Sequence, residues 1–258
     1  MLAKFRAAKA AEIEALRKDA SLLPEPRKIA RPPFAAALGN GERIAVIAEY
    51  KRASPSLGII RTDLEIEDVA RAYANGGAAA LSVLTEESFF NGSLGYLDRA
   101  AKTCELPLLR KDFIFDELQV RATAATSASA ILLIARMLPD SCALRKMREL
   151  AESCGLDDVI EIFDERDLAL AREAGARLIQ VNSRDLQTLQ VDSGRLLRLA
   201  ALARPESHET WIAASGFNSP AQLRRAHEAG YHAALVGSYL MARGAPDANL
   251  GYLLAGSR

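Results

Sequence analysis

Much that would direct a reading of this chain is missing from it. Among its 258 residues are three cysteines, Cys104, Cys142 and Cys154. Their number is odd and no C-x-x-C spacing occurs, so neither a disulfide framework nor a thiolate zinc site is expected. The three histidines, His208, His227 and His232, form no H-E-x-x-H or comparable set, and no metal is expected either. No charge excess is present: 33 basic residues balance 33 acidic ones. There is then no general field to draw nucleic acid or an anionic membrane, and any attraction for anions must be local. No apolar run approaches the eighteen or so residues that span a bilayer. The start, Met1 to Arg6, lacks the apolar core of a signal peptide. These absences imply a soluble cytoplasmic protein with no membrane or nucleic-acid partner. With no exposed heptad to indicate an obligate assembly, a monomer or weak homodimer is expected.

What is present is alternation. Half of the residues are apolar. From residue 44 onward, short runs of Val, Ile, Leu and Ala recur near 44–49, 80–84, 106–111, 130–134, 158–162, 177–182, 210–214 and 233–237, separated by stretches of helical spacing. Crossover helices are expected over 67–75, 94–103, 116–126, 140–153, 164–174 and 219–229, with Asp164, Ser193 and Ser219 as N-caps and Pro220 in the first turn. A glycine in each of Asn75-Gly76-Gly77-Ala78, Glu173-Ala174-Gly175-Ala176 and Glu228-Ala229-Gly230-Tyr231 closes a helix just before a strand, where a left-handed residue can end it; Ala125 to Ala128 reads as the same device without its glycine. Eight such units fit an α/β fold, a single (β/α)8 TIM barrel over 44–258, with an N-terminal helical extension over 1–43. The extension carries helical spacing in Leu2, Phe5, Ile13 and Leu16, and Leu23 to Pro26 ends it. The rival is an open doubly wound sheet, but that usually follows its first strand with G-x-G-x-x-G, and none stands there.

Barrel closure gathers the strand ends at one mouth, and these ends are polar. The first strand ends Glu49-Tyr50-Lys51, whose acid and base share a face because side chains alternate. Alone, E-x-K is more often a strand-end salt bridge. The third strand, however, ends in Lys111 and the fifth in Glu161, while Asn182 and Arg184 close the sixth. Two neighbouring ammonium groups predict at least one depressed pKa in the pair Lys51 and Lys111, with Glu49 pulling the other way, hence a general acid usable near neutrality, and Glu161 can accept a proton. After strands seven and eight, Ser215-Gly216 and Gly237-Ser238 form small-residue turns whose free N–H groups suit a phosphate.

These residues resemble indole-3-glycerol-phosphate synthases. The carriers are A-E-Y-K-R-A-S-P-S (48–56), A-L-S-V-L-T-E-E-S-F-F-N-G-S (80–93), L-P-L-L-R-K-D-F-I-F-D-E (106–117), V-N-S-R-D-L-Q-T-L (181–189) and L-V-G-S-Y-L-M-A-R (235–243). The resemblance implies a cofactor-free carbon–carbon ring closure of a small sugar-phosphate substrate. It makes Lys111 the general acid and Glu161 the general base. Lys51, oriented by Glu49, is the second proton-transfer group; Asn182, Arg184 and Ser54 are substrate contacts; Ser215, Gly216, Gly237 and Ser238 bind phosphate. One departure stands out. The family's seventh strand usually ends Glu-Ser-Gly, whereas this chain reads Ala214-Ser215-Gly216, so a non-catalytic paralogue is the alternative. Since Glu49 and Glu161 remain, activity is expected, with altered rate or pH dependence. A phosphoribosylanthranilate isomerase would need a Cys and Asp pair, and no cysteine ends a predicted strand.

Overall fold

The computed structural model of the chain describes residues 2–19, 23, 25–27, 29–39, 43–185, 188–192, 194–242 and 244–255. Its eight principal strands are β1 (Ala45–Tyr50), β2 (Ala80–Leu84), β3 (Leu108–Lys111), β4 (Ala130–Ile134), β5 (Asp157–Ile162), β6 (Leu178–Asn182), β7 (Thr210–Ala214) and β8 (Ala233–Val236). Each pairs in parallel with the next, and β8 closes on β1 through Ala45 to Ala233 and Ala48 to Val236. The third strand starts two residues later than expected, immediately after Pro107, which has no N–H to give a ladder.

Each strand is buried on both faces, so its residues read as continuous apolar runs yet divide by parity. Val46, Ala48 and Tyr50 of β1 pack outward against the helices; Ile47 packs inward with Ala80, Leu109, Leu132, Val159, Ile212 and Leu235. Inward positions near the carboxyl ends are Glu49, Lys111, Glu161, Asn182 and Ala214, one or two steps along from those core residues. The same alternation that fills the barrel therefore aims the polar groups at its mouth.

Helix ends follow the expected chemistry. The Asp164 side chain accepts from the Asp167 N–H, and Gln222 Oε1 accepts from the N–H groups of Asn218 and Ser219 ahead of Pro220. Gly77, Gly175 and Gly230 have φ of 88°, 81° and 99°. The Ala125 to Ala128 turn uses no left-handed residue. Ser193 and Pro24, expected to cap and to break helices, lie outside the described residues.

The N-terminal segment touches both ends of the barrel. Its helix, α1 (Leu2–Lys18), buries Phe5, Lys9 and Ile13 in one line, spaced four residues apart. A lysine in the middle of that face blurs its apolar pattern, and the reason is a partner: Lys9 Nζ meets Asp112, just past β3, at 2.9 Å. Further on, Arg27 donates to Asp98 and Arg31 to the Ala124 carbonyl along the barrel flank. Phe34 and Leu38 then join the inner core, and the Ala35 N–H donates to Asp157 at the start of β5. One segment thus lies against the mouth and plugs the base. Among the described residues no helix is long and apolar enough to cross a membrane.

Candidate active site

Every site residue expected from the sequence lines one cavity of about 390 Å³ at the carboxyl ends of the strands, a volume in the range of small-molecule sites. Lys51 Nζ sits 2.7 Å from Glu49 Oε1, and Lys111 Nζ 3.4 Å from Glu161 Oε2. In each pair the carboxylate is 1% exposed and the lysine 17%. The negative charges form the floor and the ammonium groups reach the space above. Burying an unpaired carboxylate is costly, which is why each has a lysine beside it.

The expected depression of a lysine pKa is not found at Lys111. Burial does push its ammonium down, but Glu161, Glu49 and Asp112 around it outweigh burial and hold it above the ordinary lysine value. The expectation set the second ammonium against the pull of Glu49; in the folded cup Glu161 and Asp112 act on Lys111 as well. Lys111 is accordingly a persistent cation, better suited to polarising an oxygen than to resting as a neutral amine.

Asn182 has a fixed orientation. Its Oδ1 accepts from the Arg184 N–H at 2.9 Å and from Ser215 Oγ at 2.8 Å. A backbone N–H can only donate, so the amide NH₂ is the end left for a ligand. Ser215 lies at φ 75° and Gly216 at 88°, consecutive left-handed residues that turn the chain sharply after β7. The Ser215 hydroxyl donates to Asn182, which leaves the backbone N–H groups of this turn as its donors toward the cavity. Among the described residues the amides of Gly216 and Gly237 donate to no protein acceptor. Gly237 has a second reason to lack a side chain, since a Cβ there would collide with the Glu49 carboxylate.

Arg184 donates to Leu189 O at 2.8 Å and to Ser56 Oγ at 3.2 Å, tying the loop after β6 to the loop after β1. Burial lowers its pKa, with Glu49 opposing. Ser54 accepts from the Leu57 N–H at 3.2 Å and so shapes that first loop.

Sequence reasoning missed the apolar wall. Phe5 of α1 stacks on Phe113 with centroids 3.9 Å apart, and Phe90 lies 6.1 Å from Phe113. Phe113 stands two residues after Lys111, a period-2 signal that was available; Phe5 gave none, because its partners are distant in the chain. Glu86 also lines the cavity, but its carboxylate caps the Ser88 and Phe89 N–H groups. Its loop packs tightly on itself, since a Cβ at Gly92 would meet the Leu84, Thr85 and Glu86 backbone. No cysteine lines the cavity. His208 lies with Glu206 and Glu209 away from this cavity, where both carboxylates hold Arg172.

Comparison with known proteins identifies the family. The family model for indole-3-glycerol phosphate synthase matches residues 2–252. The chain belongs to the indole-3-glycerol phosphate synthase family. An indole-3-glycerol phosphate synthase of Desulfotalea psychrophila is 40% identical over 248 residues, 95% of this chain and 94% of the relative. Another, from Desulfosudis oleivorans, is 45% identical over 196 residues, 76% of this chain and 73% of the relative. Among solved structures, a 3-hexulose-6-phosphate synthase from Salmonella typhimurium aligns with a TM-score of 0.63 at 14% identity, over 83% of this chain and all of that one. An N-acetylmannosamine-6-phosphate 2-epimerase from Clostridium perfringens gives 0.61 at 14% identity, over 84% of this chain and 94% of that one. Those two likenesses concern the fold alone. Ala214, where the resemblance leads one to expect a glutamate, is buried, lines the cavity and pairs in register with Asn182.

Proposed function

We propose that this chain closes the indole ring of indole-3-glycerol phosphate from 1-(2-carboxyphenylamino)-1-deoxy-D-ribulose 5-phosphate, releasing carbon dioxide and water, as a carboxy-lyase. The observation that carries the reading is two buried Lys–carboxylate pairs on one cavity that also holds free turn amides and an aromatic wall. The turn amides at 215–216 and 237–238 receive the phosphate, and Phe5, Phe90 and Phe113 face the anthranilate ring.

In the first step the ring carbon that bears the carboxylate attacks the ketone carbon. Negative charge grows on the ketone oxygen, where the Lys111 ammonium stabilises it and delivers a proton. The bond to the carboxylate then breaks, carbon dioxide leaves, and its electron pair restores conjugation in the ring. Lys51, held by Glu49, contacts the departing carboxylate and shares in proton transfer. Finally Lys51 gives a proton to the hydroxyl, which leaves as water, while Glu161 takes the proton from the carbon next to nitrogen, which completes the aromatic five-membered ring. The enzyme is expected to work in the cytoplasm as a monomer or weak homodimer.

Purified protein mixed with the deoxyribulose phosphate tests the reading. Indole fluorescence is the expected product signal, and it should vanish in Lys111→Ala. A folded wild type that makes no indole would overturn it in favour of a non-catalytic barrel.

A further inference from the structure

Gln180 is an unexpected occupant of its position. It lies on β6 opposite Ile212, fully buried, with Leu178 and Asn182 on its face. Its Nε2 donates to Glu161 Oε2 in a short hydrogen bond, while its own Oε1 is buried with no partner among the described residues. This glutamine satisfies its neighbour and not itself. An apolar side chain would fill the space without an unmet acceptor, as Ile212 and Leu132 do elsewhere in the inner core. Packing does not account for an amide here.

The hydrogen bond changes the character of the pair beside it. Glu161 Oε2 already accepts from Gln180, and Lys111 approaches that oxygen only to 3.4 Å. Glu49, whose further contact is a 3.4 Å hydrogen bond from Ser82 to the other oxygen, draws Lys51 to 2.7 Å. No hydrogen bond falls on Glu161 Oε1 among the described residues, and Glu161 lines the cavity. One oxygen is anchored and one is open. Building on the ring-closure reading above, we propose that Gln180 is a positioning residue for the reaction: it holds Oε2 of Glu161, aims Oε1 at the substrate, and keeps Lys111 loosely paired so that it can turn to the ketone oxygen.

The titratable groups that share the cavity with Glu161 are Lys111, Asp112, Glu49, Lys51, Glu86, Arg184 and Tyr239. A donor to the ionised carboxylate favours that form, so removing the donor raises the pH at which the base becomes available. Gln180→Met keeps length and bulk but has no N–H. It should lower kcat roughly ten- to a hundredfold, move KM by less than about threefold, and shift the acidic limb of the kcat profile to higher pH. Gln180→Glu, folded by circular dichroism, should shift that limb further, because two adjacent carboxylates then share a proton. In a Glu161→Gln background Gln180→Met should have no added effect on kcat, as expected for groups acting through one another. Unchanged kcat and acidic limb in either folded single variant, or effects that multiply in the double variant, would overturn the proposal. Wild-type indole formation is measured alongside, so a failure of the ring-closure reading is seen separately.

Discussion

The two ends of the barrel pair their buried charges differently. At the base Arg148 reaches Asp158 with two nitrogens, at 2.6 and 3.3 Å, and Arg172 reaches Glu209 at 2.8 and 3.0 Å. At the mouth the buried carboxylates Glu49 and Glu161 each meet a lysine at a single point. A guanidinium is a planar fork that stays charged and locks a carboxylate in place; an ammonium is a point charge that can swing and release a proton. The same acid–base pairing therefore serves as a clamp at one end and as movable chemistry at the other. Beside Lys111, the buried pair Arg110 and Asp112 keeps an arginine at the mouth as well, and Asp112 holds α1 through Lys9.

The sharpest way to break this comparison is Lys111→Ala. Loss of the proposed general acid and its charge should lower kcat by about a thousandfold or more with the fold intact, measured by indole fluorescence beside circular dichroism. Arg148→Met should do the reverse. It leaves Asp158 buried without its partner, costing about 3 kcal/mol or more in urea unfolding while kcat of the folded enzyme stays unchanged. A catalytic loss there would erase the distinction between the ends. Lys51→Arg tests the mouth alone. Charge is retained and the ability to pass a proton is lost, so kcat should fall about tenfold or more while the protein remains as stable as wild type. A fully active arginine variant would show that Lys51 acts by charge only.

A smaller effect lies in the pH profile. Because Glu161 and its neighbours hold Lys111 above the ordinary lysine value, the alkaline limb assigned to it in kcat/KM should lie above that value, and Glu161→Gln should bring it down. Smallest is Ala214→Glu. A third carboxylate in the cup adds proton affinity to the set, so the acidic limb should move to slightly higher pH. An unmoved limb would place the new side chain outside the shared field.

The eight strands were legible because burial on both faces of β1 to β8 demands unbroken apolar runs, and the site was legible because polar residues interrupt those runs at their carboxyl ends. Glu49, Lys51, Lys111 and Glu161 all announce themselves this way. What the sequence hid was contact between distant segments. Phe5 and Phe113 meet across more than a hundred residues, and Lys9 breaks the apolar face of α1 for the sake of Asp112. The Phe34–Ala37 turn of helix gives no sign that it plugs the base. Gln180 carried a faint signal, a polar residue in step with Leu178 and Asn182, but its meaning depends on Glu161 in the neighbouring strand. The upward direction at Lys111 has the same origin: the neighbouring lysines and the opposing pull of Glu49 were foreseen, and the further carboxylates Glu161 and Asp112 were not weighed.

The central claim is that both lysine pairs and both turns act on one substrate in one cup. A crystal structure with the reduced, non-reacting substrate analogue tests it most directly. The account predicts the phosphate within about 3 Å of the Gly216 and Gly237 amides and Lys111 Nζ within hydrogen-bond reach of the oxygen derived from the ketone. A phosphate seated elsewhere, or Lys111 turned away from that oxygen, would contradict it.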